Sequence, residues 1–194
     1  AASDVYKRQV LNRPKPDLSA LLGRVPLKTA AGAVHPVIMA RIAVLGLGNW
    51  GTAIARLWLQ DGHSVNGWTI EDEVYASIMT DDVNEKYLPN RSIKGLEVTM
   101  RIEDAIHDAE IVVLAVPSAH ILDVVESLLP HLRPGHVLLD LAKGLAPGKR
   151  LISEAIEGML EANNMSNALA VLTGPTIAPE AVSYTHLTLP TKED

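Results

Sequence analysis

The chain contains no cysteine and no phenylalanine. The first absence removes disulfides, zinc-thiolate centres and a cysteine nucleophile from consideration. The second leaves three Trp and four Tyr as the aromatic complement, within a hydrophobic content of 47% that is ample for a core. The seven histidines are scattered, without the His-x-x-x-His spacing of a helical metal site, and no metal is expected. No apolar run approaches the ~20 residues of a membrane span. Residues 1–38 also lack the charged-then-apolar layout of a signal peptide, so a cytoplasmic location is expected. The formal net charge of −6 argues against a nucleic-acid partner. Neither a Ser/His/Asp set nor a pair of carboxylates at hydrolytic spacing is present.

What the chain does have is concentrated in Arg41–Gly51, R-I-A-V-L-G-L-G-N-W-G. Ile42–Leu45 is a short apolar run bounded by glycine, the profile of a strand buried on both faces. Gly46, Gly48 and Gly51 follow in G-x-G-x-x-G spacing, and Thr52–Leu59 reads as an amphipathic helix. In this arrangement the first glycine allows a tight turn and the second lets the backbone approach a pyrophosphate. The third lets helix and strand pack closely. The helix N-terminus then offers free N–H groups and a partial positive charge to the phosphates. The position between a strand and a helix makes this a dinucleotide-binding signature rather than a chance run of glycines.

The ends differ from the middle. Residues 1–38 hold six Lys/Arg against two Asp/Glu, whereas 39–181 hold ten against nineteen. Residues 1–38 carry Pro14, Pro16, Pro26 and Pro36 and no sustained period, so they read as irregular. Ser3–Gln9 and Val182–Lys192 resemble translated sequencing-adapter read-through, with ordinary tails as the alternative. The expected organisation is an irregular or non-native extension over 1–38, a single domain over 39–181 and an irregular or non-native tail over 182–194. On that reading Met39 is the start and the domain is cut just after Ala181.

Within 39–181 the pattern alternates. Strands are expected at 42–45, 64–68, 97–100, 111–116, 136–141 and 168–172. Helices are expected at 52–59, 71–80, 103–108, 119–129 and 149–162, with a loop opening at Lys86. Short buried strands alternating with amphipathic helices specify a Rossmann-type, doubly wound parallel sheet. Ligands of such a sheet lie beyond the carboxyl ends of its strands. Asn49 and Trp50 follow the first strand, Thr69–Asp72 the second, and Val116-Pro117-Ser118 the strand at 111. Ala142-Lys143-Gly144 and Thr173–Glu180 follow the last two. Glu71 stands 20 residues past Gly51, where an acidic side chain accepts hydrogen bonds from the adenosine ribose. A carboxylate there repels a 2′-phosphate and no Arg is adjacent, which favours NAD over NADP; a helix N-cap, open equally to Asp72, is the competing role. Lys143 is either a solvated charge or a cation facing substrate or cofactor. Gly174-Pro175-Thr176 is either a plain turn or an anion-binding one. His120 and His131 read as surface helix residues.

Taken together, these segments resemble the N-terminal domain of NAD(P)-dependent glycerol-3-phosphate dehydrogenase. The matching pieces are Ile42–Ala53, Asn84–Pro89, Ala115–Ser118, Lys143-Gly144-Leu145 and Gly174–Glu180. The resemblance implies interconversion of sn-glycerol 3-phosphate and dihydroxyacetone phosphate with NAD or NADP, supplying a phospholipid precursor. To the cofactor contacts expected of Gly46, Gly48, Gly51, Glu71 and Pro117 from their places after the strands, it adds Asn49, Trp50, Lys143 and Ala178. Lys143, Gly174 and Thr176 would line the substrate site, and the full-length protein is compatible with a homodimer. Two departures stand out. Thr69-Ile70 occupy the place where many members carry a basic residue, which leaves the choice of cofactor open. The family's general-base lysine and phosphate-binding arginine belong to a C-terminal domain that nothing here resembles, so no catalytic residue is assigned and this chain alone is expected to be inactive. The alternatives are a Rossmann reductase of another small acid, of ketopantoate or 6-phosphogluconate type, and a non-catalytic nucleotide-sensing module. Lys143-Gly144 and Gly174–Glu180 count against the first.

Overall fold

The computed structural model describes residues 39–142 and 144–172. All but Met39 belong to the unit Ala40–Asp194, distinct from the unit Ala1–Met39. The strand β1 (Arg41–Leu45) buries every side chain from Ile42 to Leu45. It pairs in parallel with β2 (Ser64–Trp68) on one side and β6 (Ile111–Leu114) on the other. Beyond β2 lies β5 (Glu97–Thr99), and beyond β6 lie β7 (Val137–Asp140) and β10 (Ala168–Val171). The sheet therefore runs β10-β7-β6-β1-β2-β5, parallel throughout.

Parallel neighbours need crossovers, and the sequence supplies them as helices. These are α1 (Asn49–Gln60) after β1, α2 (Asp72–Asp81) after β2, α3 (Ile102–Ile106) after β5, α4 (Ile121–Leu128) after β6 and α5 (Ile152–Ala162) before β10. Alternate residues of β1 point to opposite faces. Ile42 and Val44 pack with Ile54 and Ala55 of α1 and with Val74 and Ile78 of α2. Ala43 and Leu45 pack with Ile106 of α3, Val125 and Leu128 of α4, and Ile156 of α5. Both faces are covered, so each buried Val, Leu or Ile among these contributes about 1.5–3 kcal/mol of transfer free energy. After β5 the chain crosses from one side of β1 to the other. The carboxyl ends of β1 and β6 therefore open a crevice between diverging connections.

Three segments differ from the sequence expectation. Leu88 enters β4 (Leu88–Ser92), which pairs antiparallel with β3 (Val83–Asn84) where a loop was expected. The helix expected from Lys149 starts at Ile152, because Pro147–Lys149 forms a 3-10 turn, with φ +79° at Gly148. Two short antiparallel strands, β8 (Leu145–Ala146) and β9 (Arg150–Leu151), flank that turn. The helix expected at 119–129 ends at Leu128 and gives way to a 3-10 turn, Leu129–His131. No helix of the described residues is long and apolar enough to cross a membrane.

His136, just before β7, is buried at 2% exposure. Its Nδ1 accepts the Arg133 backbone N–H at 3.0 Å, and Arg133 Nε lies 3.1 Å from Nε2. Burial, followed by the Arg133 charge, holds the imidazole below its usual range. The folded state thus binds fewer protons than the unfolded one, and stability is lost as pH falls below the unfolded value of about 6.5. Urea midpoints at pH 7.5 and 5.5 are expected to fall further for the wild type than for His136→Gln. Equal falls would mean that His136 does not carry this dependence.

Candidate functional site

The crevice is built on the turn after β1. Gly46 has φ +104° and donates its N–H to the Trp68 carbonyl at 3.0 Å. A Cβ on Gly46 would stand 2.8 Å from Val116 Cγ1, and one on Gly51 would stand 1.8 Å from the Gly46 carbonyl oxygen. A Cβ on Gly48 would meet nothing within 4 Å. Two of the glycines are thus demanded by the protein's own packing, whereas the middle one faces open space. Helix α1 starts at Asn49, directly after it, with no side-chain cap and no acidic residue in its first turn. Its ladder begins with the Thr52 N–H donating to the Gly48 carbonyl at 2.9 Å. The N–H groups of Asn49, Trp50 and Gly51 precede that ladder and add to the positive end of the helix. An uncapped helix start beside a glycine without a Cβ can take two linked phosphates against its backbone. A dinucleotide fits this cradle.

The loop is braced from behind. Thr52 Oγ1 donates to the Leu47 carbonyl at 2.9 Å. The fully buried Asn84 donates from Nδ2 to the same carbonyl at 2.9 Å and to Thr52 Oγ1 at 2.8 Å. Asn84 Oδ1 accepts the Tyr87 N–H at 3.2 Å. The β3–β4 turn and the glycine loop are therefore one hydrogen-bonded unit.

Gly46, Gly48, Asn49, Trp50, Glu71 and Pro117 line a single cleft of about 730 Å³. Its other walls include Trp68, Thr69, Ile70, Tyr87, Ser118 and His120. Gly51 is buried behind the turn. Glu71 immediately precedes α2 but makes no side-chain cap. Its carboxylate instead accepts Lys86 Nζ at 2.5 Å on Oε2 and the Tyr87 hydroxyl at 2.9 Å on Oε1. The Lys86 hydrogen bond comes first among the causes that hold Glu71 below its usual range, and Glu71 in turn pushes the Tyr87 hydroxyl up. No Arg is adjacent to Glu71 in sequence, but the fold supplies a different cation. Lys86 reaches it from 15 residues away in sequence, a contact that only the β3–β4 turn creates.

At the end of β7, Asp140 is buried at 1% exposure, and its Oδ1 accepts the Ala142 N–H at 2.8 Å. Burial pushes this carboxyl up. Asp140 anchors the backbone of Ala142, and Gly144 has φ +135° with Ser118 beside it. Lys143, Gly174, Thr176 and Ala178 lie outside the described residues. His120 is exposed at the rim of the cleft, where it precedes α4. The sequence alone gives no residue of Asn84–Pro89 a role. The signal available was an Asn followed three residues later by Tyr, too short and too common to be read alone.

A family model described as NAD-dependent glycerol-3-phosphate dehydrogenase N-terminus matches residues 41–191. A glycerol-3-phosphate dehydrogenase [NAD(P)+] of Koribacter versatilis is 39% identical over 145 residues, covering 73% of this chain and 43% of the relative. One of Acidobacterium capsulatum is 36% identical over 163 residues, covering 80% and 48%. Among solved structures, the glycerol-3-phosphate dehydrogenase of Coxiella burnetii superposes with a TM-score of 0.69 at 28% identity, covering 75% of this chain and 44% of that one. The enzyme of Saccharomyces cerevisiae gives 0.65 at 25%, with the same coverages. The chain thus spans a little under half the length of the relatives it matches.

Proposed function

The chain belongs to the NAD-dependent glycerol-3-phosphate dehydrogenase family, and on that premise we propose that residues 39–181 are the NAD(P)-binding domain of an oxidoreductase interconverting sn-glycerol 3-phosphate and dihydroxyacetone phosphate. The observation that carries the cofactor half of this reading is the open space over Gly48 at the uncapped start of α1. The backbone N–H groups of Asn49, Trp50 and Gly51 would hold the pyrophosphate. Trp68, Ile70, Pro117 and Val116 would flank the adenosine, with Glu71 at its ribose. Lys143 would face both cofactor and substrate, Gly174 and Thr176 the substrate, and Ala178 the cofactor. The nicotinamide, when bound, exchanges a hydride with the substrate carbon.

The titratable side chains among the described residues of the cleft are Glu71, Tyr87 and His120. Glu71 and Tyr87 are engaged with each other, and His120 stands at the rim. None is placed to take a substrate hydroxyl proton, a step that the resemblance assigns to the part of the relatives beyond the match. The chain as given is therefore expected to bind cofactor and turn over little. Trp50 and Trp68 line the cleft, so titration with NADH and NADPH is expected to quench tryptophan emission saturably. A folded chain that binds neither would overturn the reading.

A further inference from the structure

We propose that Lys86 decides how this site treats the 2′ position of the adenosine ribose, exchanging its carboxylate partners for a 2′-phosphate so that NADPH is admitted beside NADH. The inference rests on the placement of the ribose at Glu71.

The end of β2, Trp68-Thr69-Ile70, offers no cation to a 2′-phosphate. Glu71 on its own would repel one. Yet its Oε2 is 2.5 Å from Lys86 Nζ, and the same ammonium also meets Glu73 Oε1. The Tyr87 hydroxyl occupies the other oxygen of Glu71. The carboxylate that faces the cleft is thus already paired, and its repulsion is offset at the point where the extra phosphate would arrive.

The geometry also lets the lysine move. Its neighbours are fixed: buried Asn84 holds the Tyr87 N–H, and the Tyr87 ring lies 5.4 Å from the Lys86 ammonium. The Lys86 side chain itself is 41% exposed, and its second partner, Glu73, is 65% exposed. Ion pairs this open to water are weakly held, whereas a 2′-phosphate brings a charge of about −1.5 to −2 and three acceptor oxygens on one group. With NADH bound, the ribose 2′-hydroxyl donates to Glu71, and Lys86 can stay on Glu73. With NADPH bound, Lys86 turns from the two glutamates to the phosphate. Competition from those glutamates keeps the preference between the cofactors modest.

The test measures dissociation constants of NADH and NADPH for the full 194-residue chain by calorimetry and tryptophan quenching. Lys86→Met, which keeps the stem but not the charge, is expected to raise the ratio of the NADPH constant to the NADH constant about tenfold or more. Lys86→Arg is expected to hold that ratio close to the wild-type value. An unchanged ratio in Lys86→Met overturns the inference. Glu71→Gln separates this failure from a failure of the underlying placement. If it weakens NADH while Lys86→Met leaves the ratio unchanged, only the inference falls. If Glu71→Gln leaves both cofactors bound as tightly as before, the ribose is not at Glu71 and the two fall together.

Discussion

Gly51→Ala is expected to lose more than about 3 kcal/mol of stability, beyond the ordinary range for an extra methyl group in a packed core. Gly48→Ala, three residues earlier, is expected to keep the fold and lose cofactor. The difference lies in what each new Cβ meets. At position 51 it would stand 1.8 Å from the Gly46 carbonyl oxygen and 3.2 Å from Ala115 Cβ. The first of these is backbone, held in place because the Gly46 N–H bonds to Trp68. Relief would require α1 to lift from β1, opening the packing of Ile54 and Ala55 against Ile42 and Val44. At position 48 the backbone angles, φ −71° and ψ −168°, suit any residue, and nothing lies within 4 Å. The methyl group would instead occupy the space proposed for the pyrophosphate. Urea unfolding and NADH titration of both variants check the pair. Near-wild-type unfolding is expected for Gly48→Ala, with affinity lower by about tenfold or more. A Gly51→Ala variant as stable as wild type would show that the close approach of α1 to the turn is not required. A Gly48→Ala variant with unchanged affinity would place the pyrophosphate elsewhere.

This contrast was half legible in the sequence. The strand, the glycines and the helix are contiguous, so the local pattern fixes their geometry and the role of each glycine can be argued from spacing alone. The strands were legible for a related reason: a strand buried on both faces must be apolar throughout, as Ile42–Leu45 and Ile111–Leu114 are. Short antiparallel ribbons carry no such burden. Val83–Asn84 is only two residues long and Leu88–Ser92 exposes all but its first, so no periodicity announces them. Lys149–Leu151 continued the helical pattern of the residues after it, and only the positive φ values at Gly148 and Lys149 delay the helix. The Glu71–Lys86 contact was illegible because it depends on the turn made by β3 and β4. A reading limited to sequence neighbours of Glu71 therefore found a bare carboxylate where the fold provides a neutralised one.

The same ribbon explains why Asn84→Ala is expected to act on cofactor binding from a position that does not line the cleft. Asn84 is fully buried and makes three hydrogen bonds, two as donor and one as acceptor. Alanine would leave the Tyr87 N–H without its partner and take one donor from both Leu47 and Thr52. Stranded buried polar groups cost about 1–3 kcal/mol each, and the Thr52 hydroxyl, still donating to Leu47, offsets part of this. The expected loss is about 2 kcal/mol of stability. Asn84→Asp is expected to lose more, because it keeps the acceptor for Tyr87 but puts a carboxylate against the Leu47 carbonyl, where burial opposes its charge. Through Leu47 the change loosens the glycine loop, and through Tyr87 it loosens the partner of Glu71. The loss at the glycine loop bears equally on the two cofactors, which share the pyrophosphate, and it outweighs the loss at Tyr87, whose hydroxyl stays on Glu71. Affinity for NADH and NADPH should therefore fall together, leaving their ratio unchanged, whereas Lys86→Met moves the ratio. A variant that is less stable yet binds both cofactors as tightly as wild type would make Asn84 a structural brace alone. A parallel loss of both affinities, in protein shown by circular dichroism to be folded, makes it the residue that positions the glycine loop.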